Sequence, residues 1–338
     1  MNIVRLNTTA PDGLVRSNAG GGNAGGGAQG GTTPSRPKWT GHADAEGLRA
    51  IGWTDEDIAY YQENGVNWNA EDDEYHKVSE DNKALYGVLT AGNISTYKDR
   101  IVYLPKIDTS DMTTLYKTFY ECFVLVAIPY LDTSKVTQMD RTFYGCYSLV
   151  CLPYLDTSKV TVMTQTFYNC RSLATIPPID TSNVTSSYDL FYNCMSLKSI
   201  PSLNFAKLKT LTNTFAYCNI VSCSSLKLGE NSDTSYMFYN CYSLMMVDEI
   251  DVKGVALSTS TFNNCKALTF VKLKNIETNC WLDKSSLLSK DSLLYLINNE
   301  AATSAITIKL ASYAYTRLAN DADVVAALAN HPNISISQ

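Results

Sequence analysis

The sequence predicts an α/β repeat solenoid of ~24-residue coils, with a helical N-terminal cap and a small α/β C-terminal cap. Three sets of columns predict it. Cys122, Cys146, Cys170, Cys194, Cys218, Cys241 and Cys265 fall 24, 24, 24, 24, 23 and 24 residues apart. A Phe precedes each by three places (Phe119, Phe143, Phe167, Phe191, Phe215, Phe238, Phe262), and a Leu follows most by three (Leu125, Leu149, Leu173, Leu197, Leu244, Leu268). A Pro ladder (Pro105, Pro129, Pro153, Pro177, Pro201) and Asp-Thr-Ser triplets from Asp108, Asp132, Asp156 and Asp180 complete the unit. Apolar positions locked to a period in the low twenties mean that each unit buries its face only against its neighbours.

Within one coil each column has a chemical reading. Leu149 and Leu152 belong to a buried strand edge, and Pro153, which has no ladder donor, marks its end. Asp156 and Ser158 can accept from downstream N–H groups, as an Asx-turn and an N-cap. Val160, Met163 and Phe167 then recur at i, i+3 and i+7, the stripe of a short helical or 3₁₀ run ending at Phe-Tyr-x-Cys. The motif decays towards the C-terminus: Asn204-Phe205-Ala206 replaces the Asp-Thr-Ser triplet, the Cys218 coil loses a residue and the Pro, and the Cys241 coil keeps only Ile250 and Asp251.

The flanks divide into four. Residues 1–17 carry a β-like run, Ile3 to Leu6, and a Pro-Asp-Gly turn, and read as a docking segment. Residues 18–38 open with the tract NAGGGNAGGGAQGGTT, a flexible tether spanning about 20 Å per dozen residues. Residues 39–97 read as a helical cap. In it lie a helix from Asp44 to Ile51, a second begun by a capping-box pair Thr54 and Asp57, a third capped by Ser79, and three packing tryptophans, Trp39, Trp53 and Trp68. The repeat takes 98–280. Residues 281–338 read as an α/β cap, with helices over Lys290–Asn298 and Ala322–Ala329 and strands over Ile306–Leu310 and Ile334–Ile336.

Composition excludes several functions. Net charge is −6 with no Lys/Arg cluster, against a nucleic-acid partner, and no apolar run reaches membrane-spanning length. The first thirty residues lack the apolar core of a secretory signal, and the ending NHPNISISQ is no hydrophobic anchor, as expected of a protein assembled in the cytoplasm and released by lysis. Cysteines on adjacent rungs about 4.8 Å apart meet the distance for a disulfide. Seven side chains pointing one way favour instead a reduced, buried ladder. Cys151, Cys223 and Cys280 lie outside that column. No His, Cys or carboxylate spacing suits a zinc site, and one carboxylate per rung falls short of the six or more oxygens that calcium takes. The three histidines are scattered, and the glycine tract lacks the strand and helix of a phosphate loop, so neither a catalytic site, nor a metal, nor a cofactor is expected.

The candidate recognition surface is tyrosine. Tyr120, Tyr144, Tyr168, Tyr192 and Tyr239 follow the Phe column by one place, and Tyr130 and Tyr154 share another column. With Phe and Cys facing the core, these rings point at least partly outward, as an amphipathic stripe about 20 Å long. Stacked on one another they shield the coil edges; offered outward they suit glycan or protein contacts.

The pattern L-x-x-I-P-x-L-D-T-S-x-V-T-x-M-x-x-x-F-Y-x-C resembles the BspA-type leucine-rich repeats of mycoplasma and Bacteroides-like surface proteins and of phages that infect gut bacteria. The resemblance implies a leucine-rich-repeat-like solenoid used for adhesion, without catalysis. The flanking segments GWTDEDIAYYQENGVNW and SLLYLINNEAATSAITI resemble those of phage and prophage proteins of gut Bacteroidales. Together they imply a tail or capsid appendage that joins other virion proteins through its N-terminal segment and binds a host-surface glycan or protein. A bacterial cell-surface adhesin and a purely structural decoration are the alternatives, and a homo-oligomer is compatible with each.

Overall fold

The computed structural model describes residues 49, 53–63, 94, 98, 101, 103, 104, 107–223 and 226–338. The docking segment 1–17, the tether 18–38 and most of the N-terminal cap, including Trp39, Trp68, His42, His76 and the helix capped by Ser79, lie outside those residues.

The architecture is a repeat α/β fold on parallel ladders. One ladder runs Thr114, Gln138, Val162, Ser186 by parallel bridges, and others join Tyr103 to Ala127, Ser199 to Ser222 and Thr210 to Asp233. Inside the coils the columns stack as the sequence spacing requires. Phe119, Phe143, Phe167 and Phe191 are fully buried, with ring centroids 5.1, 5.7 and 5.2 Å apart and planes within 5° of parallel.

The run before each Cys is not helical. Residues 115, 117, 119 and 121 donate their N–H groups to the next coil, at Gln138, Asp140, Thr142 and Tyr144. The alternate residues 118, 120 and 122 donate back three places within the coil, so the segment is a string of overlapping β-turns. A helix would need all those N–H groups for itself. Two residues per coil also take left-handed backbone angles: Lys117 and Glu121, Arg141 and Gly145, Gln165 and Asn169. The φ values there lie between 53° and 73°, which ends any right-handed helix.

The Asp-Thr-Ser triplets close a turn and tie coils together. Asp108, Asp132, Asp156 and Asp180 accept the N–H of the Ser two places on at 2.8–3.0 Å, as the Asx reading expects. Ser110 and Ser158 do not cap a helix; their hydroxyls donate to the same carboxylates. The buried Thr reaches the neighbouring coil: Thr157 Oγ1 donates to the Asp180 carbonyl at 2.9 Å and accepts the Asp180 N–H at 2.7 Å.

Extended strands form only further along. β1 (Leu203–Phe205) pairs with β3 (Leu226–Leu228), β3 and β2 (Ser222–Cys223) pair with β4 (Met246–Asp251), and β4 pairs with β5 (Phe270–Lys274), all parallel. Then β6 (Cys280–Leu282), β7 (Ile306–Leu310) and β8 (Ile334–Ser337) form a second parallel sheet. Its rungs are 28 residues apart, the extra length being spent on helices. Leu257 donates to the Thr278 hydroxyl, which hands the turn ladder on towards β6.

The helices have ordinary local causes. In α1 (Asp55–Glu63), the Thr54 hydroxyl accepts the Asp57 N–H and the Asp57 carboxylate accepts the Thr54 N–H, the predicted reciprocal cap. Trp53 is buried, donates Nε1–H to the Leu104 carbonyl at 2.7 Å and meets Tyr103 edge-on, so it packs against the first coil as expected. Ser289 caps α2 (Lys290–Asn298). α3 (Ser312–Leu318), which the sequence pattern does not show, precedes α4 (Ala322–Asn330), whose cap is Asp321.

Candidate functional site

Each column of the repeat emerges as a ladder on the surface or in the core, and the core ladders fix the spacing of the surface ones. All ten cysteines are buried free thiols. In the Cys column the Sγ of Cys146, Cys170 and Cys194 donates to the carbonyl of Phe119, Phe143 and Phe167, each at 3.1 Å. Burial pushes the Cys151, Cys265 and Cys280 thiols up to about 12, so all three are protonated and unreactive at neutral pH.

Tyr120, Tyr144, Tyr168 and Tyr192 are half-buried and stack face to face, at 4.9, 4.6 and 4.7 Å with planes within 15°. Most of each ring face is therefore covered by the next ring, leaving edges and hydroxyls at the surface. Desolvation raises the titration of these phenols, for Tyr192 to about 12, so they stay protonated as donors. The column breaks at Ala216; Tyr217, one place on, takes over at 5.2 Å with a tilted ring and meets Tyr239 edge-on at 5.5 Å. Sequence spacing alone missed Tyr217, which falls in the column of Asn169 and Asn193 and joins the stack where Ala216 supplies no ring. Tyr130 and Tyr154 are not in this stack; they are 52% and 57% exposed, so their rings are open to solvent.

Two further ladders run alongside. Lys98 lies over Phe123, Phe123 stacks on Tyr147 at 5.0 Å, and the Arg171 guanidinium covers Tyr147 at 4.9 Å. In the left-handed column, Arg141 donates to Gln165 at 2.8 Å, and both Gln165 and Asn213 donate to Asp189 at 3.0 Å. Chain spacing could have shown this polar ladder: Lys117, Arg141, Gln165, Asp189 and Asn213 are each 24 residues apart.

One column earlier lies a break in the surface. Tyr116 and Tyr188, 53% and 38% exposed, stand three rungs apart with the short side chains of Asp140 and Thr164 between them. The gap is a notch of about 260 Å³ lined also by Arg141, Val162 and Ser186.

Among the described residues, no group of three His, Cys, Asp or Glu side chains could hold a metal ion, and no helix is long and apolar enough to cross a membrane. His331 lies 3.4 Å from Glu300.

The family described as Mycoplasma protein of unknown function, DUF285, matches residues 110–224 and again 174–275. The repeats resemble that family. The two matches cover the coils whose columns carry the likeness to the BspA-type repeat. A solved leucine-rich repeat protein from Bacteroides ovatus is similar at 14% identity with a TM-score of 0.21, over 70% of this chain and 92% of that one. No curated protein matches the chain.

Proposed function

We propose that the protein is a non-enzymatic recognition solenoid carried by a virion, as a tail or capsid appendage, that binds a host-surface glycan or protein. One observation carries the recognition reading: a rigid frame sets whole columns of tyrosine and polar side chains about one strand spacing apart, in register over several coils. Such a surface repeats one weak contact many times, and repetition multiplies affinity without a deep pocket. The Gly-rich tract at 18–33 supports attachment to a particle, since a tether lets the solenoid sweep for its target. The likeness to a mycoplasma family gives comparable support to a second reading, an adhesin on a bacterial cell surface.

Mass spectrometry on particles purified from a producing culture, beside protease shaving of intact cells from that culture, separates the two. The chain in particles at a fixed ratio to a capsid protein is the expected result. Its release by shaving from cells, with none in particles, favours the adhesin. Absence from both rules out a displayed protein.

A further inference from the structure

We propose that the notch between Tyr116 and Tyr188 is a saccharide subsite that takes one uncharged pyranose ring. The proposal rests on the reading of the protein as a recognition module and names the chemistry of its ligand.

The notch comes from an interruption in a column. Tyr116, Asp140, Thr164 and Tyr188 are 24 residues apart, so they occupy the same place on four successive coils. Three rungs of about 4.8 Å put the two tyrosine backbones about 14 Å apart. Allowing a van der Waals contact of about 4 Å at each ring leaves a slot about 6 Å wide, enough for a saturated six-membered ring with its hydroxyls. In the neighbouring ladder, Tyr120 to Tyr192, every rung is a tyrosine and the ring faces close on one another. Here the middle rungs are short, so the Tyr188 ring has no aromatic neighbour in its own column to cover it.

The lining offers polar groups. Thr164 and Ser186 share one hydrogen bond at 3.0 Å, either acting as donor, which leaves lone pairs and a hydroxyl proton for a ligand. No other residue among those described donates a hydrogen bond to the Asp140 carboxylate, and desolvation raises its pKa. A half-buried carboxylate of this kind is ready to accept from two hydroxyls. The rim argues against charged ligands. Lys117 lies over the Tyr116 ring at 5.3 Å and Arg141 sits beside Asp140, a poor setting for a cationic peptide side chain. Asp140 at the centre repels a phosphate or carboxylate. An uncharged polyol with one apolar face meets both conditions: C–H groups against Tyr188, hydroxyls to Asp140, Thr164 and Ser186.

The test is saturation-transfer NMR on the full chain with methyl glycosides of glucose, galactose, mannose and N-acetylglucosamine, one at a time. N-acetyl-lysine methyl ester is the cationic probe. Transfer to at least one glycoside is expected, with its Kd weakened about tenfold by Tyr188→Ala and by Asp140→Asn. Thr164→Tyr, which continues a residue type already present in that column, should abolish it. Tyr242→Ala, at an exposed tyrosine outside the notch, should leave it unchanged, and melting temperatures check that each variant is folded. Transfer to no glycoside, transfer only to the lysine ester, or glycoside transfer indifferent to the notch variants would each overturn the subsite. Binding of labelled protein to bacterial cells keeps the two readings apart. Cell binding that survives Tyr188→Ala and Thr164→Tyr overturns the notch and leaves the recognition reading standing.

Discussion

The coils before Leu203 and those after it differ in how the Asp-Thr-Ser column bonds to the next coil. From Asp108 to Ser182 the Asp-Thr-Ser triplets repeat without fault, yet no extended strand forms there. In that column the Thr157 and Thr181 hydroxyls take both backbone groups of a single residue on the next coil, Thr181 with Asn204 at 2.8 and 2.9 Å, while Thr133 bonds the Asp156 carbonyl and Thr109 Oγ1 is buried without a partner among the described residues. One rung later the column holds Phe205 in place of Thr, and the backbone pairs directly, Phe205 with Leu228 in β1 and β3. At this rung a backbone pair therefore stands where the two preceding rungs use a threonine hydroxyl. The more regular sequence therefore has the less regular secondary structure.

The largest expected effect probes the core that both regions share. Phe167 is fully buried between Phe143 and Phe191, so Phe167→Ala should cost about 3–5 kcal/mol in chemical denaturation. Phe262 stacks on Phe238 at one side only, and Phe262→Ala should cost clearly less. Equal losses would mean that the two regions do not differ in how deeply a rung is locked between its neighbours.

Next comes a site in the later region alone. A Cβ on Gly229 would lie 2.5 Å from the Ala206 carbonyl oxygen and 2.9 Å from that of Leu208, in the coil with the shortened 23-residue spacing. Gly229→Ala should cost about 1–3 kcal/mol. Gly145 fills a left-handed slot with ordinary contacts around it, the slot that Asn169 and Asn193 occupy in later coils, so Gly145→Asn should shift the midpoint little.

In the early region Thr157→Val keeps the shape and deletes the hydroxyl, leaving the N–H and C=O of Asp180 without their partner. The cost should be about 1–3 kcal/mol, at the low end if water reaches the exposed Asp180.

The smallest effect is a response to acid. Hydrogen bonds from Ser110, Ser134 and Ser158, backbone and side chain together, hold Asp108, Asp132 and Asp156 below the ordinary 3.8. Their contribution is whole above that value and fades as pH falls through the lower folded values. Denaturation midpoints of the parent and of Asp132→Asn should therefore converge below about pH 3.8, and a constant gap between them at every acid pH would contradict the turn's role.

Much of this was legible in the residues, for a physical reason. A column 24 residues apart reports burial directly, because every coil meets the same neighbour, so the Phe and Cys columns were readable as core before any coordinates. The run from Val160 to Phe167 misled, because inward positions at i, i+3 and i+7 suit a chain of turns as well as a helix. The signal against a helix lay in the place before five of the seven column cysteines, where Gly145, Asn169, Asn193, Asn240 and Asn264 recur; Gly and Asn are the residues that accept a positive φ. The C-terminal elements were readable from caps and alternation, while α3 was hidden because Ser312–Leu318 has no side-chain cap and buries only Ala314 and Leu318. Of the tyrosines, the columns could be read but not their exposure. Whether a ring is covered depends on its neighbour a rung away, and the notch exists because Asp140 and Thr164 are short.

The exchange of side-chain for backbone bonding between the two regions is tested most directly by amide hydrogen exchange. In the parent chain the Asp180 amide, bound only by the Thr157 hydroxyl, should be protected to the same order as an amide bonded backbone to backbone in the later region, such as Phe270, which donates to the Met245 carbonyl. In Thr157→Val that protection should vanish at Asp180 while Phe270 keeps its own. An Asp180 amide that already exchanges in the parent as fast as an exposed loop, or one that stays protected in Thr157→Val, would show that the threonines do not stand in for a strand.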